Sequence, residues 1–101
     1  MTKLLQDLAQ IAELQNQIKD RASRSSDNQL RTWQGLNRRI EKQYLEIVAT
    51  NDGTISSVEV DALLSVANRA KDLCASLNAL RSVRRGAKHP ETVALANLLC
   101  S

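Results

Sequence analysis

The stretch "SSVEVDALLSVANRAKDLCASLNALRSVRRG", Ser56 to Gly86, decides the fold. It opens with a start signal. Ser56 and Glu59 have the capping-box spacing, in which each side chain can accept a backbone N–H that the first helical turn leaves without a partner. Leu63, Val66, Ala70, Leu73, Leu77 and Leu80 follow at spacings of 3, 4, 3, 4 and 3, which is one face of a helix. Val60, Ala67 and Cys74 flank that face, and a free cysteine in an apolar stripe behaves as a small hydrophobe. The pattern predicts one helix over residues 57–85, roughly 40 Å long, stopped by Gly86. So long an apolar face needs helical partners from the rest of the chain.

The N-terminal segment supplies the first. In "TKLLQDLAQIAELQNQIKDRA", Leu4, Leu8, Ile11, Gln15, Ile18 and Ala22 recur at helical spacing, with the polar Gln15 in the middle of the face. A helix is expected over 3–22, closed by the polar turn "SRSSD". Ser26 and Gln29 form a second capping box, and Leu30, Trp33, Leu36, Ile40, Tyr44 and Ile47 make the next buried stripe. That helix is expected over 27–51, with Gly53 placed to act as a left-handed cap. A short fourth helix, 90–100, is expected from "PETVALANLLC", with Pro90 in its first turn. Short connections make neighbouring helices antiparallel. The fold class expected is therefore all-α, an antiparallel three-helix bundle (up-down-up) with a short C-terminal fourth helix, as one domain over 1–101.

Composition agrees with this. Of 101 residues, 43 % are hydrophobic but only Trp33 and Tyr44 are aromatic, so the core must be aliphatic. Three Gly and one Pro leave too little turn chemistry for a small β-fold. No run of 18 apolar residues is present and no signal-peptide h-region, so no membrane association is expected. Two cysteines, Cys74 and Cys100, make no disulfide framework, and a reducing, cytoplasmic setting is the expectation.

Between the second and third helices, "ATNDGTISSVEV" resembles the second half of an EF-hand loop. Asp52, Gly53, Ile55 and Glu59 fall at its fifth, sixth, eighth and twelfth positions. The resemblance implies a calcium site, yet the first position is Val48 and the third Thr50, and the loop offers two carboxylates where calcium takes six or more oxygen ligands, mostly anionic. The expectation is a structural turn. "HPE", His89 to Glu91, lacks the P-C-x-x-C that a zinc deaminase requires, and Cys74, His89 and Cys100 match no zinc spacing. No metal, no cofactor and no catalytic residues are expected. A single histidine and no phosphate loop leave little for an enzyme.

The charged surfaces carry the functional expectation. "LRSVRRGAKH" gathers Arg81, Arg84, Arg85, Lys88 and His89 with no acid between them. At 100° per residue the three arginines continue the apolar stripe, and a core does not take three unpaired arginines. The expectation is that the third helix outruns its partners and its inner face becomes an exposed basic surface. These five residues are the expected partner-binding set, because arginine suits planar anions. Arg31, Arg38 and Lys42 form a second basic stripe, and Leu95, Leu98 and Leu99 of the all-round apolar tail are an expected interface or packing surface. The function expected is a non-enzymatic helical protein-binding module, an adaptor, inhibitor or subunit of a larger machine, that recognises an acidic partner surface. The alternative is a nucleic-acid-binding accessory protein using the same patch with Arg31, Arg38 and Lys42. Small accessory proteins of mobile elements have this general form. The spacing of the first helix, with Gln15 at a core position, also suits a homo-oligomer.

Overall fold

The computed structural model describes residues 3–51 and 53–100, save the side chain of Cys100. Four helices follow in order: α1 (Lys3–Ala22), α2 (Asp27–Thr50), α3 (Ser57–Arg84) and α4 (Pro90–Cys100). Their bounds lie within a residue of those the capping signals predict. Both capping boxes form: Ser26 Oγ accepts from the Gln29 N–H at 3.3 Å, and Gln29 Oε1 from the Ser26 N–H at 2.9 Å. Glu59 Oε1 accepts from both the N–H and the hydroxyl of Ser56, at 3.1 and 2.9 Å.

The helix ends differ from expectation at one glycine. α2 ends on Asn51 in extended backbone (φ −77°, ψ 117°), and Gly53 does not adopt a positive φ. A helix that ends on extended backbone at Asn51 needs no left-handed residue there. Gly86, at φ 102°, does need one. It closes α3 in a Schellman motif, with Ala87 N–H donating to Ser82 O and Gly86 N–H to Val83 O, both at 3.0 Å.

α1, α2 and α3 run up, down and up, and α4 returns along α3, which is its main support, touching α1 as well. The bundle measures 49 × 24 × 20 Å. The α1 face Leu4, Leu8, Ile11, Gln15, Ile18 and Ala22 is buried throughout, as its spacing predicts. From α3, Val66, Ala70, Leu73, Leu77 and Leu80 join it, with Leu30 and Ile40 from α2. Trp33, Leu36, Tyr44 and Ile47 are half-buried and pack against this core.

Two polar side chains cross the core. Gln15 of α1 donates through Nε2 to Val66 O at 2.9 Å, and Asn37 of α2 through Nδ2 to Ala70 O at 3.0 Å. The two acceptors lie one turn apart on α3, so both outer helices are pinned to the same level of the central one. Gln15 Oε1 and Asn37 Oδ1 are buried without a hydrogen-bond partner.

α3 is buried on two sides in its second half. Ser76 and Ala79, both buried, lie outside the predicted stripe, on a side that α4 covers. Cys74 corrects the sequence reading: it is exposed, its Sγ 3.8 Å from Asn78 Nδ2.

Candidate partner-binding end of the bundle

The topology puts four termini at one end: the close of α1, the start of α2, the close of α3 and the start of α4. The chain's cations gather there. Among the described residues, 21–34 and 78–100 carry Arg21, Arg24, Arg31, Arg81, Arg84, Arg85 and Lys88 against Asp27 and Glu91. The opposite end, 3–13 with 41–51 and 53–68, carries six acids against Lys3 and Lys42. The mild total charge of +3 therefore hides a molecule with one basic and one acidic end.

The arginines of α3 are not where the sequence places them. α3 does not outrun its neighbours, because the turn 23–26 between α1 and α2 folds over its last turns. α1 has no glycine cap, so carbonyls at its end need other donors. The N–H groups of Arg24 and Ser25 supply them, to Arg21 O and Ala22 O, both at 3.1 Å, and Arg84 serves the turn beyond, with Nη1 donating to Ser25 O and Nη2 to Ser23 O at 3.1 Å. Its Nη1 also lies 3.6 Å from Asp27 Oδ1; the Arg84 side chain keeps 29 % of its exposure and the Asp27 side chain 59 %. That open ion pair adds little, and the bonds to backbone oxygens matter more.

Arg81 faces α2. Its Nη1 donates to Gln34 Oε1 at 2.8 Å, and Gln34 Nε2 donates in turn to Asn78 Oδ1. Gln34 is thus clasped between two α3 side chains, one turn apart. Arg81 is half-buried and its Nε has no acceptor. Two of the three arginines are therefore structural fasteners.

Arg85, Lys88 and His89 are exposed. The His89 ring turns back on its own helix, where Nδ1 accepts from the Glu91 N–H at 3.3 Å and caps α4. Arg31, Arg38 and Lys42 are all exposed along α2. Of the tail residues, Leu99 is 5 % exposed and belongs to the core, whereas Leu95 and Leu98 keep 37 % and 56 % of their surface open.

Ser25 is the residue of this end that the sequence reading missed. It sits in a segment read only as a polar turn. Its Oγ donates to Arg21 O and accepts from Trp33 Nε1, both at 2.8 Å, while its carbonyl takes Arg84. Asn37 was also missed, although the series 30, 33, 37, 40, 44, 47 is the better helical spacing and includes it.

Elsewhere the chemistry is sparse. A cleft of about 290 Å³ lies between α1, α3 and the end of α4, bridged by Arg69 Nη1 to Asn16 Oδ1 at 3.0 Å. Its polar lining includes Lys19, Asp72 and Ser76, with no nucleophile and base paired in it. In the EF-like turn, Asp52 lies outside the described residues, Val48 is exposed, and Glu59 is 7 % exposed with its carboxylate on Ser56. Among the described residues no cluster of His, Cys, Asp or Glu could hold a metal ion, and no helix is long and apolar enough to cross a membrane.

Fold and surface together define a small all-α bundle with segregated charge. No family model matches the sequence, and no curated protein or solved structure matches it either.

Proposed function

We propose that this chain is a non-enzymatic helical binding module, an adaptor, inhibitor or subunit, that docks an acidic protein surface against its basic end. The observation that carries the reading is the charge segregation: seven cations and two acids at the end where four helix termini meet. Fixed cations on rigid helix ends steer an acidic partner and set its orientation. Arg81 and Arg84 hold the end together, and Arg31, Arg85 and Lys88 offer their charge outward. A reducing cytoplasmic setting goes with this reading, since the exposed Cys74 is a free thiol.

Nucleic acid is the less favoured ligand. Single-strand binders expose aromatic side chains for base stacking, and here Trp33 and Tyr44 pack half-buried against the core. The test is fluorescence anisotropy with labelled poly-glutamate and with a DNA duplex. Arg31→Glu/Arg85→Glu should weaken poly-glutamate binding about tenfold or more without changing the melting temperature. Equal binding by both proteins overturns the reading. Tighter binding to the duplex, falling steeply and linearly in log affinity with log salt, replaces it with the nucleic-acid alternative.

A further inference from the structure

α4 is apolar almost all round, and only one side of it is covered. Ala96 and Leu99 point into the bundle at 2 % and 5 % exposure, while Leu95 and Leu98 stay open at 37 % and 56 %. A helix of that composition is ordinarily covered on several sides. It spans 11 residues, about 16 Å, against the 28 of α3, about 42 Å. It fills only the upper half of the channel between α1 and α3.

Just below α4 the Arg69–Asn16 bridge crosses the channel, and beyond it lies an apolar groove of about 270 Å³. Leu5, Ala9 and Ala12 form one wall, Ala62 and Ser65 the other, and Val66 lies at the bottom. The small side chains leave room for an incoming ridge. The α4 ridge and this groove thus lie on one face of the molecule, one above the other.

We infer that this face pairs with a second copy of the chain in an antiparallel, two-fold arrangement. A rotation of 180° about an axis across the channel lays the Leu95–Leu98 ridge of each copy into the lower groove of the other. One contact is made twice, as an isologous interface requires. Charge selects the same arrangement. It sets the basic end of one copy beside the acidic end of the other. Asp61, exposed four residues before the groove-lining Ser65, comes to face Lys88, exposed two residues before α4. A parallel pairing would bring like ends together.

Sedimentation equilibrium of the full chain tests this, from about 1 to 500 µM. The expected mass rises toward twice the 11.2 kDa of one chain. Leu98→Glu and Ala9→Glu, at exposed positions on ridge and wall, should each weaken association about tenfold or more and leave helicity unchanged. Lys88→Asp and Asp61→Lys should each weaken it, and the double exchange should restore it. A single-chain mass at the highest concentration overturns the inference. Wild-type association in both glutamate variants overturns the ridge-and-groove contact. Failure of the double exchange to recover what both single exchanges lose overturns the antiparallel register.

Discussion

Trp33 and Ser25 are joined by a hydrogen bond of 2.8 Å from the indole Nε1 to the serine Oγ. Ser25 is itself 7 % exposed and donates to Arg21 O at 2.8 Å, so one hydroxyl ties the end of α1 to the second turn of α2. Ser25→Ala leaves the indole N–H without its acceptor and should cost about 1–3 kcal/mol. Thermal unfolding would measure it, and the tryptophan emission would shift to the red as water reaches the ring. Trp33→Ala should cost more, about 3–5 kcal/mol, since it removes the packed ring as well. A Trp33→Ala protein with unchanged melting but lost partner binding would move this residue from the core to an interface.

Gln15 and Asn37 lead to an expectation of opposite sign. Each makes one bond to α3 and leaves one buried oxygen with no partner. Val66 and Ala70 lie within α3, so their carbonyls also serve the helix ladder. Gln15→Leu should therefore be neutral or stabilising by up to about 2 kcal/mol, because an unsatisfied acceptor leaves the core. Gln15→Ala should destabilise by about 2 kcal/mol through the cavity. What leucine would lose is register. Faster amide exchange in α1 of a more stable variant would show it, whereas a loss above about 1 kcal/mol in Gln15→Leu would mean that the bond to Val66 stabilises on balance.

How much of this is legible without coordinates depends on the range of the interaction. Capping boxes at Ser26 and Ser56 are local, so the helix starts could be read directly. The buried face of α1 follows from periodicity because α1 meets its partners along one stripe. α3 defeats a single-stripe reading in its second half. It is covered on one side by α1 and α2 and on another by α4, so Ser76 and Ala79 are buried outside the stripe and Cys74 is exposed beside it. The arginines show the same limit. Periodicity rightly puts Arg81 and Arg84 on the inner face, but their partners lie 47 and 59 residues away, Gln34 on α2 and Ser25 in a turn that reads only as polar.

The loop before α3 yields a negative expectation. Glu59 caps Ser56 through Oε1, and glutamine supplies the same acceptor. Glu59→Gln should shift stability by no more than about 1 kcal/mol, the scale of a charge at a helix start. Glu59→Ala should cost about 1 kcal/mol by losing the cap. Calcium or a chelator should leave the melting temperature of the wild type unchanged. A calcium-dependent rise of several degrees would show that the loop binds the ion after all, through ligand linkage.

The last expectation separates fasteners from charge-bearers among the arginines. Arg84 gives two backbone carbonyls of the α1–α2 turn their donors, and a lysine could not span both. Arg84→Ala should cost about 1.5–3 kcal/mol, in the range for hydrogen bonds made by a charged group, and Arg84→Lys should recover only part of it. Arg81→Ala should cost less. It frees Gln34, but it also removes a buried Nε that has no acceptor. Arg85 is exposed, and Arg85→Glu should leave melting within about 0.5 kcal/mol of the wild type. Reversal of Arg81, Arg84 and Arg85 together to glutamate should therefore unfold or strongly destabilise the protein, with Arg84 dominating. Sequence alone suggests the reverse, a folded variant that fails to bind. Chemical denaturation of the three single variants and the triple decides between them. If the triple reversal keeps wild-type stability and abolishes binding, Arg84 spends its charge on a partner and the turn at Ser25 holds without it.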